Sequence, residues 1–329
     1  MAELKEHEFK QRWYEQEPFG AFWEKGYADP RVSTMGGPSL EIYEVVPALK
    51  QGGKVLDLGC GEGRNSLFLA QQGFDVTCID RSENAIRKVR LAAQRLGVPI
   101  NAIVSDIAHL EIESDYDLIM AHGVLYYLSN LEWRELLAQA KERTLPGGLN
   151  IYSVFIFTDE HPRPHEFKSA RYTHSLSPRE LEEFYDGWEI IRYDQYVKWD
   201  QHPELPVHAH PVERIVAREP RGPLGSGDGY EVDVLENPDP VITAEQFDRV
   251  PIGGTEEDVL AICGEPRAVH EVEFGGQQVG ATRHIDAGYQ LRDLLYGDRG
   301  IQLINGQVRG KYLYQSPPVR VRFSSHGPS

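Results

Sequence analysis

The sequence predicts an α/β fold, an open parallel sheet wrapped by helices, followed by a small α+β domain. Two observations carry this. The apolar run Val55, Leu56 and Leu58 ends in Gly59, Gly61 and Gly63 and is followed by a helical pattern over 65–72, which is a strand feeding a helix through a glycine turn. A second strand, 74–79, then stops at Asp80, at the carboxyl edge where open α/β sheets bind ligands. The stretch 54–80 is therefore expected to be a nucleotide or nucleoside site.

Taken in order, residues 1–50 form a helical cap over that site. Phe19, Phe22, Trp23 and Tyr27 fall at helical spacing, so they read as an amphipathic helix. Trp23 and Tyr27 are candidate cofactor contacts. Gly36 and Gly37 make a turn, and Ser39 is expected to cap the helix that begins LEIYEVV. The main domain spans 51–220. Gly73 closes its first helix, and Ser82 caps a second that stops at Gly97. The third strand, 100–104, ends at Ser105, Asp106 and Ile107, and the fourth, 116–122, ends at His122. Residues 123–128 carry Tyr126 across the sheet edge into a helix. Leu145 to Gly148 is expected to be a turn into the fifth strand. Ser177 is expected to cap a helix with Pro178 at its first position and Glu180 completing a capping box, and strands follow from near Trp188 and over 212–217.

Residues 221–240 form a linker that opens on the glycine- and serine-rich RGPLGSGDG. A small α+β domain follows at 241–329, with Thr255 as a helix cap, Gly264 as its stop, and a hairpin turning on Asn305–Gly306. Its one short helical motif resembles the SmpA/BamE type of fold. That resemblance implies an interaction platform, and a homodimer contact is one expectation for it.

Composition bounds the function. With 329 residues, 40% of them hydrophobic, the chain is long enough for one large and one small domain. A net charge of −17 argues against nucleic acid, whose binders gain affinity from Lys and Arg on phosphates. No apolar run reaches the ~20 residues of a membrane span, and the charged amino terminus lacks a signal-peptide core. The expectation is a cytoplasmic protein acting on a small molecule. Cys60, Cys78 and Cys263 read as small core residues rather than a disulfide frame.

Which nucleotide is narrowed by spacing. Arg64 occupies the third glycine position of a dinucleotide fingerprint counted from Gly59, and Asp57 lies just ahead of the turn. What remains, DLGCGEG and then Asp80 at the end of the next strand, resembles motifs I and II of the class I S-adenosylmethionine-dependent methyltransferases. The resemblance implies a Rossmann-like, seven-stranded methyltransferase fold. Glycines let the backbone approach the methionine part of such a cofactor, and a helix start offers N–H groups to its carboxylate. Asp80 would accept both ribose hydroxyls. Asp57, Gly59, Gly61, Gly63, Arg64, Asn65, Arg81 and His122 join Asp80 as cofactor-binding candidates. Asp106 and Ile107 sit where related enzymes hold the adenine.

GRNS at 63–66, the ELEEFYDGWE segment and the histidines beyond it resemble the tellurite-resistance TehB methyltransferases over residues 20–219. In that family a histidine and arginines near the end of the domain line the acceptor pocket, which makes Arg171, His202, His208 and His210 candidates beside His122 and Tyr126. The resemblance implies methyl transfer by in-line displacement, with S-adenosylhomocysteine as product, to a small nucleophile. A soft sulfur, selenium or tellurium acceptor needs little base help, whereas an amine or hydroxyl must lose a proton, for which a histidine is suited. A cofactor-sensing regulator and a metal enzyme using the histidines of HPRPH and HAH are the rivals. Pro162 and Pro164 keep His161 and His165 off one helical face, so no metal is assigned.

Overall fold

The computed structural model describes residues 23–29, 37–156, 176–200, 208–221, 230–234, 241–274, 289–314 and 319–323. Its elements are α1 (Leu40–Val45), β1 (Lys54–Leu58), α2 (Arg64–Gln71), β2 (Asp75–Asp80), α3 (Glu83–Leu96), β3 (Asn101–Val104), β4 (Tyr116–His122), α4 (Asn130–Glu142), β5 (Thr144–Phe155), α5 (Glu180–Phe184), β6 (Glu189–Asp200) and β7 (His208–Arg218). Beyond them come β8 (Tyr230–Val234), α6 (Ala244–Arg249), α7 (Glu256–Cys263), β9 (Ala268–Phe274), β10 (Tyr289–Tyr296), β11 (Arg299–Ile304), β12 (Gln307–Tyr314) and β13 (Val319–Phe323).

The first seven strands lie in the order β3-β2-β1-β4-β5-β7-β6. β1 pairs in parallel with β2 on one side and with β4 on the other. The chain thus winds outward in opposite directions from β1 and β4, and the crevice between their carboxyl ends is the topological switch point where such sheets bind ligands. β7 runs antiparallel to both β5 and β6. This is the α/β, Rossmann-like arrangement expected from the sequence.

Two apolar layers hold the sheet. On one face Leu56, Ile119, Tyr152 and Ile215 pack under Trp133, Leu136 and Leu137 of α4. On the other, Val55, Leu118, Ile151 and Val216 meet Ile42 and Val45 of α1 and Phe68 and Leu69 of α2. The alternation along each strand decides which residue faces which layer. Cys60, Cys78 and Cys263 are free thiols in buried positions.

Three local expectations are corrected. Ser39 makes no side-chain cap on α1; its backbone N–H instead donates to Asn65 Oδ1 at 2.9 Å. α5 begins at Glu180 rather than at Pro178, with Arg179 left-handed at φ 69°, so only half of the expected box survives, the Glu180 carboxylate accepting from the Ser177 N–H at 2.8 Å. Leu145 to Gly148 lies inside β5, where the pairing with β4 slips, rather than ahead of it. By contrast Ser82 accepts from Ala85 N, Gly97 closes α3 at φ 66°, and Thr255 with Asp258 makes a full capping box.

The sheet does not stop at β6. β12 pairs antiparallel with it, and β11, β10 and β9 follow, giving eleven strands in one sheet among the described residues. A separate ribbon of β8 and β13 packs by way of β13 on α1 and β6. Asp293 on β10 is buried, accepts from Gln302 Nε2 at 3.0 Å, and is pushed by burial to a pKa of about 6 against the pull of Gln302, Arg214 and Arg192. A raised carboxyl holds its proton in the folded state after the unfolded chain has lost it. Stability therefore falls as pH rises from about 4 to about 6. Asp293→Asn is expected to flatten that part of the profile and to raise stability at pH 7, measured by urea unfolding at a series of pH values.

Candidate functional site

The turn after β1 is built around its glycines. Gly59, Gly61 and Gly63 have φ of 69°, 55° and 79°, a region that costs a residue with a side chain about 1–2 kcal/mol. Space forbids side chains as well. A Cβ on Gly59 would come within 2.4 Å of Val124, and one on Gly61 within 2.8 Å of the Tyr27 hydroxyl.

Asp80 fastens this turn to the end of β2. Its Oδ2 accepts from the Gly61 N–H and its Oδ1 from the Ser82 N–H, both at 2.8 Å. Each oxygen keeps a second lone pair for an outside donor. Beneath the turn, Asp57 is buried and accepts from the Ser66 hydroxyl, which ties β1 to α2; burial pushes its pKa to about 6, against that hydrogen bond and the nearby His122 and Arg64. The Lys88 ammonium on α3 is buried against Glu62 at 2.7 Å and lies 5.7 Å from the centre of the Tyr27 ring. Two further candidates make hydrogen bonds within the frame here. Arg64 donates to the Gly37 carbonyl at 3.1 Å, and Asp106 accepts from the Ala108 N–H at 3.0 Å. Ile107 packs in the core beside Leu56 and Ile79.

The amino-terminal cap reaches the site. Residues 23–26 are helical, and Glu24 accepts from the Ser82 hydroxyl and the Asn84 N–H at the start of α3. Trp23 stacks at 5.7 Å on Tyr27 and donates from Nε1 to the Tyr127 hydroxyl at 2.8 Å. Tyr27 is buried at the glycine turn, and burial together with Asp80 and Glu62 drives its phenol pKa well up. Arg81 lies 5.8 Å from the centre of the Tyr127 ring.

Across the crevice His122 ends β4, its Nδ1 3.2 Å from Asn65 Nδ2 and its Nε2 2.8 Å from Glu41 Oε1. Beyond it an aromatic wall rises over the sheet edge. Tyr126 stacks on Phe155 at 4.7 Å, and Phe155 on His210 at 4.4 Å. His208 begins β7, with its side chain outside the described residues. Arg171, His202, His161 and His165 also lie outside them, and among the described residues there is no cluster of three or more metal-ligating side chains. No described helix is long and apolar enough to cross a membrane.

Thus Trp23, Tyr27, Gly59, Gly61, Gly63, Asn65, Asp80, Arg81, His122 and Tyr126 gather around one crevice. Sequence reasoning missed Glu41, Glu24, Tyr127 and Phe155. Glu41 passes for a surface residue of a short amphipathic helix yet is buried. The one available signal for its partner is Arg214, a charge set beside Ile215 and Val216 in the middle of a strand.

The strand order, the glycine turn and the acid at the end of β2 define the fold of the S-adenosylmethionine-dependent methyltransferases. A solved structure of TehB from Haemophilus influenzae superposes with a TM-score of 0.50 at 28% identity, covering 55% of this chain and 62% of that one. The sequence profile of the family named "Tellurite resistance protein TehB" matches residues 31–202, just over half of the chain, and the chain belongs to that family. A relative from Haemophilus influenzae, named as a probable S-adenosyl-L-methionine-dependent methyltransferase TehB, is 34% identical over 142 residues, 43% of this chain and 48% of its own. A ubiquinone biosynthesis O-methyltransferase from Rickettsia prowazekii is 31% identical over 101 residues, 31% of this chain and 39% of its own. The chain thus spans about half or less of the length of these curated relatives.

Proposed function

We propose that this chain is an S-adenosylmethionine-dependent methyltransferase acting on a small-molecule acceptor by in-line displacement, with a soft sulfur, selenium or tellurium nucleophile preferred. The observation that carries it is the glycine turn clasped by Asp80 at the switch point under the Trp23–Tyr27 cover. Membership of the TehB family supports it.

When bound, the cofactor supplies a methyl group on a sulfonium centre that a nucleophile aligned with it can take. The residues have positioning to do. The first-turn N–H groups of α2, which a helix cannot satisfy itself, suit the methionine carboxylate. The spare lone pairs of Asp80 suit the ribose hydroxyls, and Trp23 and Tyr27 keep water from the methionine end. Holding the acceptor in line is the main contribution such a site makes.

The sheet edge favours an acceptor that needs no deprotonation. His122 already engages Asn65 and Glu41 with its two ring nitrogens, so it serves as a wall rather than a base. Tyr126, Phe155 and His210 form an aromatic stack beside it. A homodimer through residues 241–329 accompanies this reading, supported by β9 being the last strand of the sheet among the described residues.

The test is methyl-labelled cofactor incubated with the protein and tellurite, selenite, thiols, a thioether and small amines. Label on the chalcogen or sulfur compounds is expected. Label confined to amines or hydroxyls would overturn the acceptor class while leaving the methyl transfer intact.

A further inference from the structure

Behind His122 lies a chain of buried charges that reaches from the crevice to the far strands. Glu41 Oε1 meets His122 Nε2, while its Oε2 accepts from Arg214 at 2.8 Å. Arg214 in turn grips Asp194 Oδ2 through Nε at 2.9 Å and a terminal nitrogen at 2.8 Å. Arg192 donates to the same Asp194 oxygen at 2.5 Å and to Glu44. The side chains of all five charged residues are buried.

The protonation of His122 follows from its neighbours. The Ser39 N–H can only donate, so the Asn65 atom that faces it must be the carbonyl oxygen. The other Asn65 atom is then the NH2 group, and it points at His122 Nδ1. Nδ1 must accept, which puts the ring proton on Nε2, aimed at Glu41. Burial alone would raise the Glu41 pKa, but the Arg214 charge and the His122 hydrogen bond outweigh it and hold the carboxyl well below its usual range. It is a charged acceptor at neutral pH.

We propose that Glu41, clamped by Arg214, is a positioning residue for the cofactor: together with Asn65, which Ser39 orients, it holds His122 as the Nε2–H tautomer, and His122 braces the Asn65 side chain in the first turn of α2. This rests on the reading that the cofactor binds at the glycine turn. Outer partners of this kind orient the groups that touch the ligand, and their loss is felt at the ligand. Glu41→Gln cannot reproduce the arrangement. One of its two amide atoms is a donor facing either His122 or Arg214, both of which donate.

The full-length Glu41→Gln chain is compared with wild type by calorimetric titration with S-adenosylmethionine, by turnover at saturating cofactor, and by long-range 1H–15N spectra of the His122 ring. Wild type is expected to show a neutral ring protonated on Nε2 whose resonances move when cofactor is added. Glu41→Gln is expected to lose that single tautomer, to bind cofactor about tenfold more weakly and to change kcat less than its cofactor KM. A wild-type ring that is charged or protonated on Nδ1 overturns the proposal, as does a folded variant with unchanged affinity. If the variant does not fold, the wild-type spectrum decides: resonances that stay put on adding cofactor overturn the proposal, and resonances that move support it. A wild type that binds no cofactor defeats the functional reading itself, whereas equal binding by both proteins defeats only the role of Glu41.

Discussion

Asp80→Ala is expected to weaken S-adenosylmethionine binding by about 3 kcal/mol or more, roughly a hundredfold, because hydrogen bonds to a charged group contribute about 1.5–3 kcal/mol each and two ribose hydroxyls lose their acceptor. A second cost accompanies the first. The Gly61 and Ser82 N–H groups lose the carboxylate that holds the glycine turn against β2, so the binding surface loosens as well. Asp80→Asn keeps one acceptor and is expected to fall between alanine and wild type. Calorimetry on the three proteins checks the order. Equal affinity for wild type and Asp80→Ala would remove Asp80 from the site.

Arg214→Met is expected to cost about 3–5 kcal/mol of folding stability, because removing one partner of a buried ion pair leaves the others uncompensated. Here two carboxylates lose a cation, Glu41 and Asp194, each bound to Arg214 at 2.8 Å; Glu41 is left with the His122 ring and Asp194 with Arg192. Despite the opposing effect of burial, arginine charges hold both below their ordinary values. Carboxyls depressed in the folded state contribute stability that is fully present above their unfolded pKa of about 4 and is lost as pH falls through the lower folded values. Arg214→Met should therefore lose most stability at neutral pH and show a weaker decline on acidification than wild type. Urea unfolding of cofactor-free protein between pH 3 and pH 7 measures both effects. A loss below 1 kcal/mol at pH 7 would show that the network is dispensable.

The two largest effects fall on opposite sides of what the sequence makes legible. Asp80 could be found because its information is local: a strand, a glycine turn, a helix and a second strand occupy 54–80, and the acid closes that unit. The same locality made Ser82, Gly97, Thr255 and the Asn305–Gly306 turn readable, since each acts on backbone groups a few residues away. Arg214 and Glu41 are 173 residues apart in the chain. Their pairing depends on β7 lying beside β6 and α1 lying across them, which no local pattern encodes. The same reason hides the join of β6 to β12, where a glycine-rich stretch reads as a boundary while the strands beyond it continue one sheet. Arg179 defeated the helix start at Ser177 in another way. Its N–H is taken by the Glu213 carboxylate at 2.7 Å, so a tertiary contact overrides the capping box.

The histidine-rich stretch shows the remaining limit. Residue type nominated five histidines after β5, yet of these only His210 has a described side chain, and it joins an aromatic stack. The wall it forms with Tyr126 and Phe155 came from three separate elements brought to one edge by the topology of the sheet.

The central claim is that the crevice between β1 and β4 holds S-adenosylmethionine. Calorimetric titration of the purified wild-type chain tests it most directly. Saturable binding of one cofactor per chain is expected, displaced by S-adenosylhomocysteine, which keeps nearly all the same contacts; a flat titration with a folded protein would show that the crevice does not hold the cofactor.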